Sequence, residues 1–316
     1  PNPNPNDMNG YMAGTAESWT ISDDGKEYIF NINKNAKWSN GEPVTADDFV
    51  WSWKRILTPS LGSQYPDMLY YLEGAMEYHT YISPKDELTL LKNTADDLRE
   101  IRQPLMVDLN ELKNKEISSL TTFEIEDIQT LENGINKLNL RLNLLLPEIE
   151  RLSGMKEDRP SFDTVGVKAI DKYTLKVNLK NPTPFFLGLL SHYSTWPVHK
   201  DTVLKFGEID DRNGEWTRPG NFVCNGPFQL KTWELNNKIV VEKNPHYYDA
   251  SMVRLNEIHY YPVSNVMTED RMFRAGQLHL TSTLPSQKCP IYIEENPNLR
   301  IDPYMGTYFY RINTEN

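Results

Sequence analysis

Cysteine is nearly absent: 316 residues hold two, Cys224 and Cys289. They form no CxxC pair, which excludes a zinc ribbon and a dithiol redox motif. A disulfide between them is open in an oxidising compartment, but nothing in the spacing specifies it, and two partly buried thiols are the expectation. Basic charge is also short, with 33 Lys and Arg against 44 Asp and Glu and a formal charge of -11. A surface of that sign repels a phosphate backbone, so nucleic acid is set aside as a partner. No apolar run approaches the roughly 20 residues that span a bilayer; Leu144-Leu145-Leu146, for example, stops at Pro147. The opening Pro1-Asn2-Pro3-Asn4-Pro5-Asn6 has neither the basic region nor the apolar core of a secretory signal, so a signal would have to lie upstream.

Catalytic signatures are missing as well. Gly-x-Ser-x-Gly, a P-loop and a dinucleotide fingerprint do not occur, and no enzyme is expected. His79, His192, His199, His246, His259 and His279 show no HxH or HExxH arrangement, so neither a metal nor another cofactor is expected. The paired acids Asp23-Asp24 and Asp47-Asp48 fall at a turn and at a helix start, where solvation and capping account for them.

Aromatic residues are plentiful, 7 Trp, 17 Tyr and 11 Phe, but unevenly placed: Pro84 to Ser161 holds only Phe123. That stretch reads as a separate unit. Leu91, Leu98, Leu105 and Leu112 recur every seven residues, and Ile128, Leu131, Ile135, Leu138, Leu142, Leu145, Ile149 and Leu152 alternate spacings of three and four. Each series is a coiled-coil seam. Ser83-Pro84 with Asp86 starts the first helix, and Thr121 with Glu124 makes a capping box for the second. The expectation is an antiparallel helical hairpin over 84–158, kinked at Pro104 and Pro147, with Asn133, Gly134 and Asn136 arguing against a long rigid rod.

The flanking sequence reads as mixed α/β with short strands. Tyr28 to Ile32 alternates with period two, Asn40-Gly41 turns, and Thr45 is placed to cap a helix carrying Phe49, Val50, Trp53 and Ile56 on one face. Gly166 to Ile170 and Tyr173 to Leu179 form a hairpin through Asp171-Lys172. Further strands are expected at 228–230, 239–242 and 258–261, with a helix from Thr268 to Ala275 ended by Gly276.

Several blocks carry a resemblance. Ala16-Glu17-Ser18-Trp19, Asp23-Asp24-Gly25-Lys26 and Lys37-Trp38-Ser39-Asn40-Gly41-Glu42-Pro43-Val44-Thr45-Ala46-Asp47-Asp48-Phe49-Val50 closely resemble the signature of the family 5 solute-binding proteins, most of all its oligopeptide-binding branch. The similarity continues at Val167-Lys168-Ala169-Ile170-Asp171, Asn181-Pro182-Thr183-Pro184-Phe185-Phe186, Asn225-Gly226-Pro227-Phe228, Glu242-Lys243-Asn244-Pro245 and Phe273-Arg274-Ala275-Gly276-Gln277. The resemblance implies a periplasmic-binding-protein-like α/β fold: a smaller lobe over 12–198, interrupted by the 84–158 hairpin, part of the main lobe over 199–313, and a linker over 1–11. The family's C-terminal lobe is expected to be absent, and the hairpin is not part of the usual family pattern.

By the same resemblance the intact protein would be the substrate-binding component of an ABC importer, periplasmic or extracytoplasmic and membrane-associated through its permease. Oligopeptides would be held extended between lobes, backbone hydrogen bonds giving affinity and roomy pockets accepting varied side chains. Thr281, Ser282, Thr283 and the strand with Tyr304, Tyr308 and Phe309 would face the cleft, with Tyr65 and Met68 contributing from the smaller lobe. Asn225-Gly226-Pro227-Phe228 reads as a structural turn into a strand. The alternative is an interaction or scaffold protein on the same fold, with the hairpin docking a protein partner.

Overall fold

The computed structural model describes residues 2–3, 10–156, 158–212, 214–296, 298–302 and 308–314. The chain forms two compact units, one of residues 1–229 with 243–256, the other of 230–242 with 257–316. Residues 199–229 therefore pack with the first unit.

In the first unit a short ladder, β1 (Asn2–Pro3) with β2 (Tyr11–Met12), precedes a four-stranded antiparallel sheet. Its strands β3 (Ala16–Ile21), β4 (Glu27–Ile32), β5 (Val167–Asp171) and β6 (Thr174–Asn178) lie in the order β3-β4-β6-β5. The expected period-two pattern of β4 turns Tyr28, Phe30 and Ile32 to the core, and β6 adds Leu175 and Val177. Gly166 enters this hairpin where nothing larger fits: a Cβ there would lie 2.2 Å from the Asn178 carbonyl oxygen, whose neighbouring N–H donates to the Gly166 carbonyl.

Helix α1 (Ala46–Leu57) follows the Asn40-Gly41 turn and packs on β5 and β6. Its start differs from the simple cap expected of Thr45. The Thr45 N–H and hydroxyl both donate to Asp48 Oδ2, at 2.7 and 2.9 Å, so the acid three residues on gathers the orphan donors. Trp53 is buried, and its indole N–H donates to the Thr195 carbonyl at 2.8 Å. At the far end His79, in α2 (Ala75–Thr80), meets the Leu57 carbonyl through Nδ1 at 3.0 Å.

The hairpin consists of α3 (Pro84–Lys113) and α4 (Thr122–Ser153), 30 and 32 residues, and so about 45 Å long each at 1.5 Å per residue. Ser83 Oγ accepts the Asp86 N–H, and Thr121 and Glu124 close the capping box, as their sequence positions led one to expect. Cross-links fix the antiparallel register: Arg102 to Asn139 at 2.7 Å, Lys113 to Glu132 at 2.5 Å and Lys115 to Glu124 at 2.6 Å. Every seam leucine and isoleucine is buried or half-buried, while Leu140 and Leu144 stand exposed off the seam. Against the expectation from Asn133, Gly134 and Asn136, α4 runs on unbroken. Gly134 lies opposite Leu105, where even a Cβ would make only ordinary contact at 4.0 Å, and the seam on both sides of it, Leu131, Ile135 and Leu138, is buried or half-buried, so packing carries the helix through.

The first unit continues through α5 (Phe186–Leu189) and α6 (Lys200–Phe206). Phe186 is buried against Tyr28, ring centroids 5.1 Å apart. The His199 ring caps α6 by accepting the Thr202 N–H at Nδ1, 3.2 Å, and its Nε2 lies 2.6 Å from Glu42.

A three-stranded sheet in the order β7-β8-β9 comprises β7 (Phe228–Glu234), β8 (Lys238–Lys243) and β9 (Glu257–Tyr260). Lys231 bridges its strands, 2.5 Å from Glu257 and 3.4 Å from Glu242. In the second unit α7 (Val266–Arg274) ends at Gly276, whose φ of +73° is the left-handed conformation expected of a helix-terminating glycine. Its buried Asp270 ties it to α8 (Cys289–Glu295) and the turn before: the carboxylate takes Lys288 Nζ at 2.5 Å and the Tyr292 hydroxyl, with Arg274 Nε at 3.3 Å.

Three outcomes follow for stability. Gly166→Ala should cost about 1–3 kcal/mol by overpacking, read by denaturant unfolding of the first unit. Leu142→Ala, at a buried seam position, should cost about 2–3 kcal/mol and speed amide exchange in α3 and α4 while leaving β4 and β6 protected. The Lys288 ammonium, with Tyr292 and Arg274, holds the Asp270 carboxyl below its ordinary range. A depressed folded value contributes stability that is whole above the unfolded value of about 3.9 and lost as pH falls through the folded one. Exchange in α7 and α8 should therefore accelerate on acidification below about pH 4, and Asp270→Asn should flatten that acid limb.

Candidate functional site

In the first unit Tyr65 is the residue around which the exposed aromatic surface is organised. It precedes the 3-10 turn Pro66–Leu69, whose Leu69 is anchored in the core, and so its ring is held at the surface. The ring meets His192 edge-on at 5.1 Å and Tyr193 at 5.9 Å. His192 in turn is fixed by its own turn, Nδ1 lying 2.8 Å from Ser194 Oγ and accepting the Ser194 N–H. The Tyr65 hydroxyl, hydrogen-bonded to that of Tyr193, pushes the Tyr193 phenol above its ordinary value. The Tyr193 hydroxyl therefore stays neutral at physiological pH and can act as donor or acceptor. Met68 lies half-buried one turn on. A second exposed pair, Tyr71 and Phe185, packs edge-to-face at 5.4 Å.

His192 and Tyr193 escaped the sequence reading. Neither falls in a periodic segment, and their contact with Tyr65 joins two loops far apart in the chain. The one available signal was the Pro184-Phe185-Phe186 block just upstream.

The same unit holds a cavity of about 200 Å³ lined by Phe30, Phe49, Trp53, Trp196, Tyr247 and Tyr248, with Asn225, Gly226 and Pro227 on one wall. Burial pushes the Tyr247 phenol and the Cys224 thiol upward, so neither ionises at neutral pH. The Asn225-Gly226-Pro227-Phe228 turn has a clear structural task. Asn244, fully buried, donates from its side chain to the Gly226 carbonyl at 2.9 Å and from its N–H to Pro227 at 3.0 Å. Two of the blocks that carried the family resemblance are thus bound to each other.

In the second unit Thr281, Ser282 and Thr283 come together on a cavity of about 470 Å³, with Asp270, Cys289, Tyr292, Asn296 and Arg300 among its other walls. The Ser282 N–H is spent on Glu269 Oε1 at 3.0 Å, which holds the segment to α7 and leaves the side-chain hydroxyl for other partners. Tyr308 and Phe309 are 85% and 64% exposed; Tyr308 packs edge-on against Tyr310, and the Arg311 guanidinium lies over Phe309. Tyr304 lies outside the described residues. The expected cleft residues thus fall in two groups, Tyr65 and Met68 in one unit and Thr281 to Thr283, Tyr308 and Phe309 in the other.

Other candidates have structural work. Asp24 takes the Ser22 hydroxyl and the Lys26 N–H within its turn, and Asp48 serves the start of α1. Cys224 and Cys289 are free and half-buried. Among the described residues no three His, Cys, Asp or Glu side chains form a metal-holding group, and no helix is long and apolar enough to cross a membrane.

Comparison with known proteins agrees with this architecture. The periplasmic oligopeptide-binding protein OppA of Salmonella typhimurium is 31% identical over 312 residues, covering 98% of this chain and 42% of its own length. The oligopeptide-binding protein OppAIV of Borrelia burgdorferi superposes with a TM-score of 0.61 at 26% identity, over 91% of this chain and 41% of its own. The Haemophilus influenzae OppA complex with the peptide RPPGFSPFR gives 0.60 at 26% identity, over 90% and 40%. The chain thus spans about two fifths of the length of these relatives. The pattern described as bacterial extracellular solute-binding proteins, family 5 Middle, matches residues 10–316, and the chain belongs to that family of binding proteins, which are not enzymes.

Proposed function

We propose that the intact protein is the substrate-binding component of an ABC importer that captures oligopeptides outside the cytoplasmic membrane. The observation that carries this reading is the similarity to a periplasmic oligopeptide-binding protein over 98% of the chain. The chemistry of both units is compatible with it. Tyr65 and Tyr193 offer hydroxyls beside exposed rings, and Thr281 to Thr283 border a cavity of about 470 Å³, large enough for side chains of different shape.

An extended peptide presents amide donors and acceptors at regular intervals whatever its sequence, so hydroxyls and backbone groups can bind it without selecting side chains. Aromatic faces add apolar contact at small cost in rotamer entropy. In this reading Tyr65, Met68, Thr281, Ser282, Thr283, Tyr304, Tyr308 and Phe309 contact the peptide, His192 and Tyr193 position Tyr65, and the permease receives the loaded protein. Retention requires a further lobe that closes over the ligand by a hinge motion.

The test is thermal stabilisation of the full-length protein by a mixed peptide library. Peptide at about 100 times its Kd should stabilise the folded state by about 2.7 kcal/mol. Tyr65→Ala should weaken binding about tenfold, equivalent to about 1.4 kcal/mol, with the unliganded midpoint little changed because the ring is partly exposed. Replacing 84–158 by a short connection should leave the stabilisation intact, since α3 and α4 pack chiefly on each other. Absence of any shift at saturating peptide would overturn the reading.

A further inference from the structure

The far end of the helical hairpin has a composition that its own folding does not require. Phe123 is the single aromatic residue between Pro84 and Ser161, yet it is 80% exposed, and Ile117 is 87% exposed. Ile125, also exposed, lies two residues on in the first turns of α4, on a different side of the helix from Phe123. A frayed loop would expose such residues by default, but this end is tightly built. The Ile117–Ser119 3-10 turn links helices locked by the Thr121–Glu124 capping box and by the Lys115–Glu124 and Lys113–Glu132 ion pairs. Lys115, with the Thr121 N–H and hydroxyl, holds the Glu124 carboxyl down to about 2, so this clasp is charged at every physiological pH.

Charge narrows the choice of occupant. Residues 108–132 carry seven carboxylates, Asp108, Glu111, Glu116, Glu124, Glu126, Asp127 and Glu132, against two lysines. Both lysines are engaged, with Glu132 and Glu124, which leaves five exposed acids, and three of them, Glu116, Glu126 and Asp127, belong to the same 116–127 end as the apolar residues. An anionic bilayer surface repels such an end and attracts only basic segments. A second copy is disfavoured on the same ground, because the chain carries a net charge of -11 and an identical end would meet like charge.

We propose that the hairpin end, Ile117 and Phe123 with the acids Glu116, Glu126 and Asp127, is a docking surface for another protein that presents an apolar recess rimmed by Lys and Arg. The ring and the branched side chain supply contact area, and the acids supply orientation and on-rate. The surface is independent of peptide capture.

The test uses the full-length protein in intact producing cells, with the photo-crosslinker benzoylphenylalanine placed at position 117 or 123, and at Thr130 on the exposed side of α4 as control. The expected result is one protein adduct from 117 and 123 and none from 130, its crosslinked peptide carrying Lys or Arg beside apolar residues. Adduct yield should fall severalfold in washed envelopes when salt rises from about 0.01 to 1 M, which shortens the screening length from roughly 30 to 3 Å. It should vanish in the Glu126→Lys/Asp127→Lys variant, whose fold is checked by circular dichroism and by retained peptide stabilisation. An adduct with lipid or with a second copy, equal yield from Thr130, indifference to charge reversal, or no adduct would each overturn the proposal. So would co-sedimentation of the purified protein with phosphatidylglycerol–phosphatidylethanolamine vesicles. Failure here leaves peptide stabilisation unaffected, so the two readings fall separately.

Discussion

The burial of Trp53 is the contact on which the first unit depends. A four-stranded sheet that turns Tyr28, Phe30, Ile32, Leu175 and Val177 to one side needs a cover, and α1 supplies it. A tryptophan in that cover brings an N–H that must be satisfied once water is excluded, at a cost of about 1–3 kcal/mol if it is not. The Thr195 carbonyl meets it. Beside it, Ser52 Oγ accepts the Val198 N–H at 2.9 Å. Two adjacent residues of one helix thus bind the 195–198 loop through polar contacts, and that loop follows directly on His192 and Tyr193. The aromatic surface at Tyr65 rests on the same helix that closes the core.

The hairpin obeys a different rule. It buries a narrow apolar seam between its own helices and borrows little from the rest of the unit, so its existence depends on local signals: two caps, a heptad-like spacing and ion pairs across the interface. Autonomy of this kind lets a fold carry an insertion without disturbing what surrounds it. It also frees the surface of the insertion from the packing demands of the rest of the unit, and Ile117 and Phe123 stand exposed at its end.

Much of the architecture was legible because it rests on short-range chemistry. The alternation in β4 and β6, the Ser83 and Thr121 caps, the leucine seams and the glycine after α7 are all properties of a few neighbouring residues. Where the reading missed, a distant atom intervened. Asn133, Gly134 and Asn136 argued against a long rigid rod, yet the seam packed between α3 and α4 carries α4 through them unbroken. At the start of α1 the expected roles of Thr45 and Asp48 combine into a reciprocal box, a local contact three residues apart.

By itself the sequence determined the elements, the hairpin and the family, because periodicity, capping and ordered blocks of residues are written in linear order. Tertiary structure alone decided which side chains meet. It set Tyr65 against His192 and Tyr193, joined the Asn225-Gly226-Pro227 turn to Asn244, and made Asp270 the centre of a charged knot with Lys288, Arg274 and Tyr292. Apart from the Asp270–Arg274 pair, which is one helical turn apart, such contacts join parts of the chain whose separation follows no period. They exist only once backbone hydrogen bonds and burial have fixed where each loop ends.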